Sequence, residues 1–269
     1  GQLSLGSAGF MAIGAYAASL LTVELKWDLN LAFVSGGLLA SVVGLGMAFP
    51  ALRLRGVFLA LATLAFGEII RVFFVNLEYT GASIGYRGMS GTTLWLTFAW
   101  VALFLVLFWR LYSSRIGRAF HAVAQDEIVA EAMGLNITLI KVAAFALSGF
   151  LAGIAGGLYA HKTMYISPDQ FTVVASLFAV LIAILGGIET FWGVLVGAVL
   201  FAVLPEALRF MKDWRMAAYG AMVAGLLIFR PSGLLTNDTF QFLSRRRTRR
   251  EPKVGPVREV RLGAAGAAG

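Results

Sequence analysis

Long apolar runs alternate with short polar connectors along the chain. Most of the runs approach the ~20 residues that an α-helix needs to cross a ~30 Å hydrocarbon layer. The pattern predicts about eight helices, and several are so short that we expect tilted or interrupted spans among them. Their predicted cores are Ser7 to Val23, Leu31 to Phe49, Val57 to Asn76, Leu94 to Trp109, Val142 to Ala160, Val173 to Leu185, Val194 to Leu208 and Met216 to Phe229.

The composition identifies lipid as the solvent of most of this surface. Of the 269 residues, 59% are hydrophobic and 13% are charged, whereas a soluble domain has about 45–50% apolar and about 25% charged residues. The predicted fold class is therefore all-α, a polytopic protein in a lipid bilayer. The formal net charge is +8, but the basic residues flank apolar runs or lie near the end of the chain, where anionic headgroups are the simpler partner. We predict no nucleic-acid binding.

Basic residues divide into two sets of connectors, and such residues are favoured in cytoplasmic loops. The set that we assign to the cytoplasm contains Arg53, Arg55, Arg110, Arg115, Arg118, Lys141 and Arg230, with Arg245, Arg246, Arg247, Arg249 and Arg250 in the tail. The opposite set contains Lys26, Arg87, Lys162, Arg209, Lys212 and Arg215. We predict a transmembrane domain over residues 1–234 and a disordered cytoplasmic tail over residues 235–269. Because Gly1 already lies in a membrane segment, we expect upstream sequence to precede it.

One connector, residues 111–141, is long and hydrophilic, and this topology places it in the cytoplasm. A helix-compatible run extends from Ala119 to Met133 and carries apolar Ile128 and Val129 beside acidic and amide side chains. A short helix of this kind can transmit a rigid displacement, whereas a solvated loop is the simpler alternative.

The sequence offers no set of residues for catalysis. A nucleotide-binding loop ends in Gly-Lys-Ser/Thr, and no lysine here follows a glycine. The absence of cysteine excludes disulfides, thiolate metal sites and cysteine nucleophiles. We place His121 and His161 in connectors on opposite sides of the membrane as solvated residues, so they cannot share a metal. We predict no enzyme activity, no metal and no cofactor.

Polar residues inside the predicted spans are costly and therefore informative. Glu68 and Arg71 are three residues apart on one helical face, where they can neutralise each other. They either face a translocation path or form a structural pair near the outer end. The stretch Gly81 to Gly91 is predicted to be an outer or re-entrant loop. The stretch Gly1 to Gly14 is typical of an interrupted helix that lines a cavity, or of a helix interface that tolerates small polar residues.

Glycines at four-residue spacing predict helix contacts in the second half of the chain. Gly149, Gly153 and Gly157 line one helix face, and Gly193 and Gly197 line another. Small residues let membrane helices approach closely. The alternative is that glycine is merely common in such helices.

A series of sequence blocks follows one order from residue 4 to about residue 234. The blocks are Ser4 to Tyr16, Thr63 to Arg71 with Thr80 and Gly81, Gly117 to Ala119, Asp126 and Glu127, Ala130 to Leu135, Phe145 to Gly149, Ala152 to Ala160, Ile166 to Pro168, Leu185 to Gly187, Phe191 to Gly193 and Arg230 to Leu234. Together they resemble the signatures of the branched-chain amino acid ABC permeases. Each block is weak alone, but the ordered series is specific.

The resemblance implies a multi-pass permease subunit of the bacterial cytoplasmic (inner) membrane, with a cytoplasmic C-terminal tail. It implies as partners a second homologous permease subunit, two cytoplasmic ATP-binding subunits that bind the ATP, and a periplasmic or extracellular substrate-binding protein. The connector would dock into an ATP-binding subunit. Ala130 and Gly134 match the small residues of the importer motif Glu-Ala-Ala-x-x-x-Gly, although Ile128 and Val129 replace its first two residues.

Two sets of candidate site residues follow from the resemblance and the polar positions. The candidate translocation-pathway residues are Ser4, Gly6, Ser7, Gly9, Tyr16, Thr63, Glu68, Arg71 and Thr80. The candidate ATPase-coupling residues are Gln125, Asp126, Glu127, Ala130, Glu131 and Gly134.

The substrate stays open at this point. Ser7 stands where the family usually has His or Gln, and Glu189 stands where a small residue is usual. Branched-chain amino acids are the leading expectation, and urea or short amides are the alternative within the family. An ion-driven secondary transporter with Glu68 as the ion site is a second class of function, and a membrane enzyme is the least favoured.

Overall fold

A computed structural model of the chain describes residues 4–54, 56–187 and 190–207 and the single positions 220 and 225. The helices in these ranges are α1 Ser7–Val23, α2 Leu29–Leu52, α3 Val57–Asn76, α4 Leu94–Ser113, α5 Arg115–Gln125, α6 Glu127–Ala132, α7 Ile137–Thr163, α8 Val173–Gly186 and α9 Phe191–Ala207. Three 3₁₀ turns lie at Glu78–Thr80, Ala82–Ile84 and Pro168–Gln170, and two short strands are β1 Tyr86–Arg87 and β2 Tyr165–Ile166.

The all-α, polytopic fold class is confirmed. Seven of the predicted apolar helices are present, and α2 and α7 extend past their predicted ends. Within the described residues, five helices are long and apolar enough to cross a membrane, and α1 and most of α9 are shorter apolar helices. The eighth predicted helix, Met216 to Phe229, lies outside the described residues apart from Gly220 and Gly225, so the count of eight stays a prediction. Arg55, Glu189 and the tail over residues 235–269 lie outside the described residues as well.

Helices α1, α2 and α7 form the centre of the described bundle. Gly14 of α1 faces Gly153 of α7 so closely that a Cβ on Gly14 would overlap the Gly153 backbone. On the same face of α7, a Cβ on Gly149 would lie 2.7 Å from the carbonyl oxygen of Ala40 in α2. Because lipid supplies no water-driven attraction between helices, close backbone approach at such glycines is what lets dispersion hold them together.

Two other glycine contacts extend this packing. A Cβ on Gly157 would lie 3.0 Å from the Phe33 ring of α2. In the hairpin formed by α8 and α9, a Cβ on Gly197 would lie 2.6 Å from the Ile182 carbonyl oxygen, and one on Gly193 would crowd the carbonyl oxygen of Gly186. All five glycines of the two repeats therefore lie at close approaches between helices.

A loop cap, defined as residues 77–93 and 164–172, covers the ends of α1 and α7. Strands β1 and β2 pair antiparallel within it. The Tyr165 hydroxyl donates to the Ile84 carbonyl at 2.9 Å, and the Arg87 guanidinium lies 4.9 Å from the Tyr165 ring centre. The sequence of Gly81–Gly85 matches Gly-x-Ser-x-Gly, the motif that exposes the nucleophilic serine of α/β-hydrolases on a strand-to-helix turn. Here the segment forms 3₁₀ turns instead.

The connector contains two helices, and the expectation of one helix from Ala119 to Met133 was wrong. The chain breaks at Asp126, whose backbone is extended, with φ −153° and ψ 114°. The Asp126 carboxylate accepts hydrogen bonds from the Ile128 and Val129 amides at 2.8 and 3.1 Å. Aspartate satisfies the free amides of a helix start better than it tolerates a helix interior, so α6 begins anew after Asp126.

Candidate functional site

The start of α1 lies close against α3 at Gly6 and Gly9. Gly6 is the residue before the first turn of α1, and a Cβ there would lie 2.8 Å from the Thr63 carbonyl oxygen. The fully buried Thr63 hydroxyl accepts a hydrogen bond from the Leu5 amide at 2.9 Å. A Cβ on Gly9 would lie 3.0 Å from the Cα of Gly67. These residues hold the non-helical segment before α1 on the surface of α3.

Two partly buried serines flank this contact. The Ser4 hydroxyl accepts from the Gly6 amide at 3.4 Å, and the Ser7 hydroxyl is buried without a hydrogen bond to any described residue. The next amide, that of Ala8, donates to the Ser176 hydroxyl of α8 at 3.0 Å. The first turn of α1 is thus held by α3 on one side and by α8 on the other. Helix α1 is continuous from Ser7 to Val23, so it has no interruption between Ser7 and Gly14.

Tyr16 lies in the middle of α1 and is fully buried. Its ring stacks on Phe74 of α3 with ring centres 4.1 Å apart, and it lies 6.4 Å from the ring of Phe171 in the loop cap. Its hydroxyl has no hydrogen-bond partner among the described residues. Burying such a hydroxyl costs on the order of 1–3 kcal/mol, so the aromatic packing of Tyr16 offsets a polar penalty.

Glu68 and Arg71 form the expected ion pair, and a third residue joins them. The Arg71 Nε lies 2.9 Å from Glu68 Oε2, and Arg71 Nη1 lies 3.2 Å from Asp169 Oδ1. The Arg71 and Glu68 side chains are 28% and 33% exposed, whereas Asp169 is 75% exposed. Asp169 belongs to the 3₁₀ turn of the loop cap, so the cluster connects α3 to the segment that precedes α8.

The structure divides the nine candidate pathway residues into three places. Ser4, Gly6, Ser7, Gly9 and Thr63 lie at the start of α1, Tyr16 lies with Glu68 and Arg71 further along the bundle, and Thr80 lies in the loop cap. The Thr80 hydroxyl is buried and donates to the Leu77 carbonyl at 3.0 Å. The buried members are Gly6, Gly9, Tyr16, Thr63 and Thr80. Those five hold elements together in this conformation, and the assignment of the nine to a pathway stays a prediction.

The placement of His161 in a solvated connector was wrong. His161 lies inside α7 and is fully buried. Its Nδ1 lies 2.9 Å from the Gly157 carbonyl oxygen, and its Nε2 lies 2.9 Å from the Thr22 hydroxyl of α1. Because both ring nitrogens have partners within the bundle, the imidazole is buried without an unsatisfied polar atom. His121 is exposed on α5 in the connector, as expected.

Three exposed apolar side chains lie together in sequence on the connector. Ile128 is 79% exposed, Val129 is 54% exposed and Met133 is 78% exposed. We call these three residues the docking patch. They lie on and immediately after α6, a segment that the polar residues of the connector separate from the long apolar helices. Exposed aliphatic side chains on a polar segment are typical of a surface that binds protein.

The remaining candidate coupling residues shape or border this patch. Asp126 caps α6, and Ala130 is buried beneath it with 2% exposure. Gly134 has φ +84°, a left-handed conformation that ends the short helix. Gln125 and Glu131 are exposed. The structure therefore brings the predicted coupling residues together around the docking patch, although their contact with an ATPase stays a prediction.

Another ion pair joins α6 to α7. Lys141 Nζ lies 2.7 Å from Glu127 Oε1, and the two side chains are 9% and 36% exposed. The sequence analysis gave Lys141 only as a basic residue of the connector and did not foresee the pair. Asp169 was missed in the same way, since nothing in the local pattern shows that it lies near Arg71, which is 98 residues away.

Tyr86 of the loop cap forms a polar contact with the end of α1. Its hydroxyl donates to Glu24 Oε1 at 3.1 Å. Partial burial, followed by the hydrogen bond and the negative charge of Glu24, raises the pKa of Tyr86 to about 12. The raised pKa favours the neutral phenol, which is the form that donates this hydrogen bond to Glu24.

Comparison with protein families gives one match over most of the chain. A family model described as "Branched-chain amino acid transport system / permease component" matches residues 1–230. No solved structure matches the chain.

Comparison with individual proteins gives relatives of the same kind. The chain is 35% identical to the high-affinity branched-chain amino acid transport system permease protein LivM of Escherichia coli (strain K12), over 87% of this chain and 64% of that protein. It is 27% identical to the probable branched-chain amino acid transport permease protein LivM of Methanocaldococcus jannaschii, over 77% of this chain and 68% of that protein. It is 27% identical to the ribose import permease protein RbsC of Haemophilus influenzae, over 88% of this chain and 76% of that protein. The chain thus spans about two thirds of the length of the LivM protein of Escherichia coli.

Proposed function

Since the chain belongs to the family of branched-chain amino acid transport system permease components, we propose that it is the membrane-spanning permease subunit of an ATP-driven ABC importer. We propose that it translocates branched-chain amino acids by alternating access. The two LivM relatives, whose names specify branched-chain amino acids, support this substrate. The ribose permease relative, which is 27% identical like the LivM relative of Methanocaldococcus jannaschii, makes sugar import the outcome to exclude.

The docking patch carries the proposal of an ATP-driven mechanism. Ile128 and Met133 are each more than three-quarters exposed on a polar segment, where water is a poor solvent for them and the lipid-facing helices give them no cover. A buried aliphatic cluster at the centre of an interface supplies much of the binding energy between proteins. A cytoplasmic ATP-binding subunit is the partner that a permease of this kind requires, because the chain has no nucleotide-binding loop of its own.

The proposed assembly contains a second homologous permease subunit, two ATP-binding subunits and an external substrate-binding protein. We place the connector in the cytoplasm and the loop cap on the opposite side of the cytoplasmic membrane, in agreement with the distribution of basic residues. The C-terminal tail is then cytoplasmic. In this arrangement the loop cap faces the substrate-binding protein, and the Glu68–Arg71–Asp169 cluster lies toward that side of the bundle.

The docking patch provides the test of ATPase coupling. The variant Ile128→Ser/Val129→Ser/Met133→Ser removes the apolar atoms of the patch, and Ile84→Ser is the control, because Ile84 in the loop cap has the same 79% exposure as Ile128. Loss of a central apolar cluster costs about 2 kcal/mol or more in binding, which is about thirtyfold in affinity. We expect the triple variant to lose co-purification with the ATP-binding subunits and to lose substrate-stimulated ATP hydrolysis, while Ile84→Ser keeps co-purification. Full ATPase coupling in the triple variant would show that the connector does not dock to the ATP-binding subunits through the docking patch.

A further inference from the structure

The Glu127–Lys141 ion pair joins α6, which carries part of the docking patch, directly to α7, the longest helix of the described bundle. Glu127 is the first residue of α6 and precedes Ile128 of the docking patch. Lys141 lies in the second turn of α7 and is 7% exposed. The 2.7 Å distance between Lys141 Nζ and Glu127 Oε1 is that of a charge-assisted hydrogen bond. A largely buried ammonium group favours one position for its partner, because leaving it unpaired is costly.

The covalent path between the same two helices is much less constrained. It runs through Gly134, which has φ +84° and no atom within 4 Å of the place where a Cβ would stand. Glycine has more conformational freedom than any other residue, although the Gly134 amide donates to the Glu131 carbonyl at 2.9 Å in the turn that ends α6. Without the ion pair, α6 would keep the burial of Ala130 but would lose its charge-assisted contact with α7.

Helix α7 itself is held tightly by its neighbours. Its glycines bring its backbone against α1 at Gly14 and against α2 at Ala40, so a displacement at its first turns moves three helices together. Close-packed elements transmit a displacement because they cannot absorb it by local compression.

We propose that the Glu127–Lys141 ion pair is the mechanical link by which movement of the docked ATP-binding subunit is transmitted to α7. The pair bypasses the unpacked Gly134 and fixes α6 to the helix that contacts α1 and α2. Glu127 and Lys141 are thus positioning residues for coupling. This inference rests on the proposed function and deepens it, since it names how the partner acts on this chain.

A purely structural role for the pair makes a different prediction. If Glu127 only compensates the buried charge of Lys141, replacing both residues by neutral ones of similar size leaves a stable protein with normal coupling. If the pair is the mechanical link, the same double replacement leaves a stable protein in which α6 moves independently of α7. The double variant Glu127→Gln/Lys141→Met separates the two roles. Glu131→Gln is the matched control, because Glu131 lies on α6 and makes no ion pair with another described residue.

The first measurement is the distance distribution between spin labels on α6 and α7. The sequence has no cysteine, so Ala132→Cys and Leu139→Cys, both at exposed positions, accept labels specifically. The complete complex with its ATP-binding subunits is reconstituted in nanodiscs. We expect a narrow distribution in the parent and in Glu131→Gln, and a clearly broader one in the double neutral variant. An unchanged width in the double variant would overturn the inference.

The second measurement is the number of substrate molecules imported per ATP hydrolysed by the reconstituted complex. We expect the double neutral variant to keep ATP hydrolysis and to lose about fivefold or more in this ratio, a change within the range of mutations that alter coupling. Arg110→Gln, which removes an exposed charge on α4 outside the connector, should stay close to the parent. An unchanged ratio in a parent complex that imports substrate would refute the link alone. Absence of ATP-driven import in the parent complex would refute the proposed function, and the label distances would still decide whether the pair fixes α6 to α7.

A further variant covers the case in which the double variant fails to fold. Glu127→Asp keeps both charges but shortens the carboxylate side chain by one methylene, so the pair loosens without leaving the ammonium unpaired. We expect a broader label distribution and a lower import ratio than in the parent. Parent-like values for both quantities would contradict the proposal.

Discussion

Substitution of Gly149 by alanine tests the central packing of the bundle. Gly149 is buried on α7 where this helix crosses α2. An added Cβ would lie 2.7 Å from the Ala40 carbonyl oxygen, 3.2 Å from the Ala40 carbonyl carbon and 3.3 Å from the Ser41 Cα. All three atoms belong to the backbone of α2, so no side-chain rotation relieves the overlap. The two helices must separate by about 0.7 Å for the closest contact to reach an ordinary 3.4 Å.

The expected cost follows from this separation. A radial gap of about 0.5–1 Å forfeits a quarter to a half of the dispersion energy of each atom pair across the contact, and overpacking of this kind costs about 1–3 kcal/mol. The matched control is Gly46→Ala on α2, where an added Cβ has no atom within 4 Å. Alanine is favoured over glycine inside a helix by about 1 kcal/mol, so the control should be neutral or stabilising. Because this gain is common to both variants, they should differ by the overpacking cost of about 1–3 kcal/mol.

The assay is unfolding of the purified chain by titration of dodecyl sulfate into detergent micelles, followed by tryptophan fluorescence. We expect Gly149→Ala to unfold at lower dodecyl sulfate than the parent and Gly46→Ala to unfold at the same or higher concentration. Equal stability of the two alanine variants would refute the close α2–α7 contact.

Three further predictions concern single polar residues. Asp126→Ala removes the cap of α6, which costs about 1 kcal/mol. The amides of Ile128 and Val129 should then exchange faster with solvent deuterium, as followed by hydrogen-exchange mass spectrometry. Asp126→Asn should keep the parent rate of exchange. The pKa of Tyr86 is raised from 10.0 in the unfolded chain to about 12. The contribution of Tyr86 to stability is therefore complete below pH 10 and is lost as pH rises through about 12. Tyr86→Phe should flatten this part of the pH dependence of unfolding. Asp169→Asn removes an ion pair to a carboxylate that is 75% exposed, so the free energy of unfolding should change by less than about 1 kcal/mol; a larger loss would show that this pair anchors the loop cap.

The apolar runs allowed the long helices to be predicted well, because a span of the right length has few alternatives in lipid. The predicted Val57 to Asn76 agrees with α3 at both ends, and Ser7 to Val23 agrees with α1. The glycine repeats indicated the helix faces that meet, since close approach requires a residue without a side chain. Both patterns can be recognised from residues within a single helix.

The residues that were misplaced depend on contacts between distant segments or on local capping. His161 was expected in a connector because the predicted helix ended at Ala160, yet α7 extends to Thr163 and the imidazole contacts Thr22 of α1. The break at Asp126 was hidden by a run of helix-compatible residues, although an aspartate followed by Glu127 is itself a helix-start signal. Asp169 and the Glu127–Lys141 pair join segments that only the folded chain brings together.

Uptake by reconstituted liposomes tests the central claim most directly. The chain is purified with its permease partner, the two ATP-binding subunits and the substrate-binding protein, and the entry of labelled leucine, ribose and urea is followed with ATP inside the lumen that corresponds to the cytoplasm. We expect leucine uptake that requires ATP, is competed by isoleucine and valine, and persists in Glu68→Gln without any ion gradient. Uptake driven by a proton or sodium gradient without ATP, and abolished in Glu68→Gln, would contradict the account.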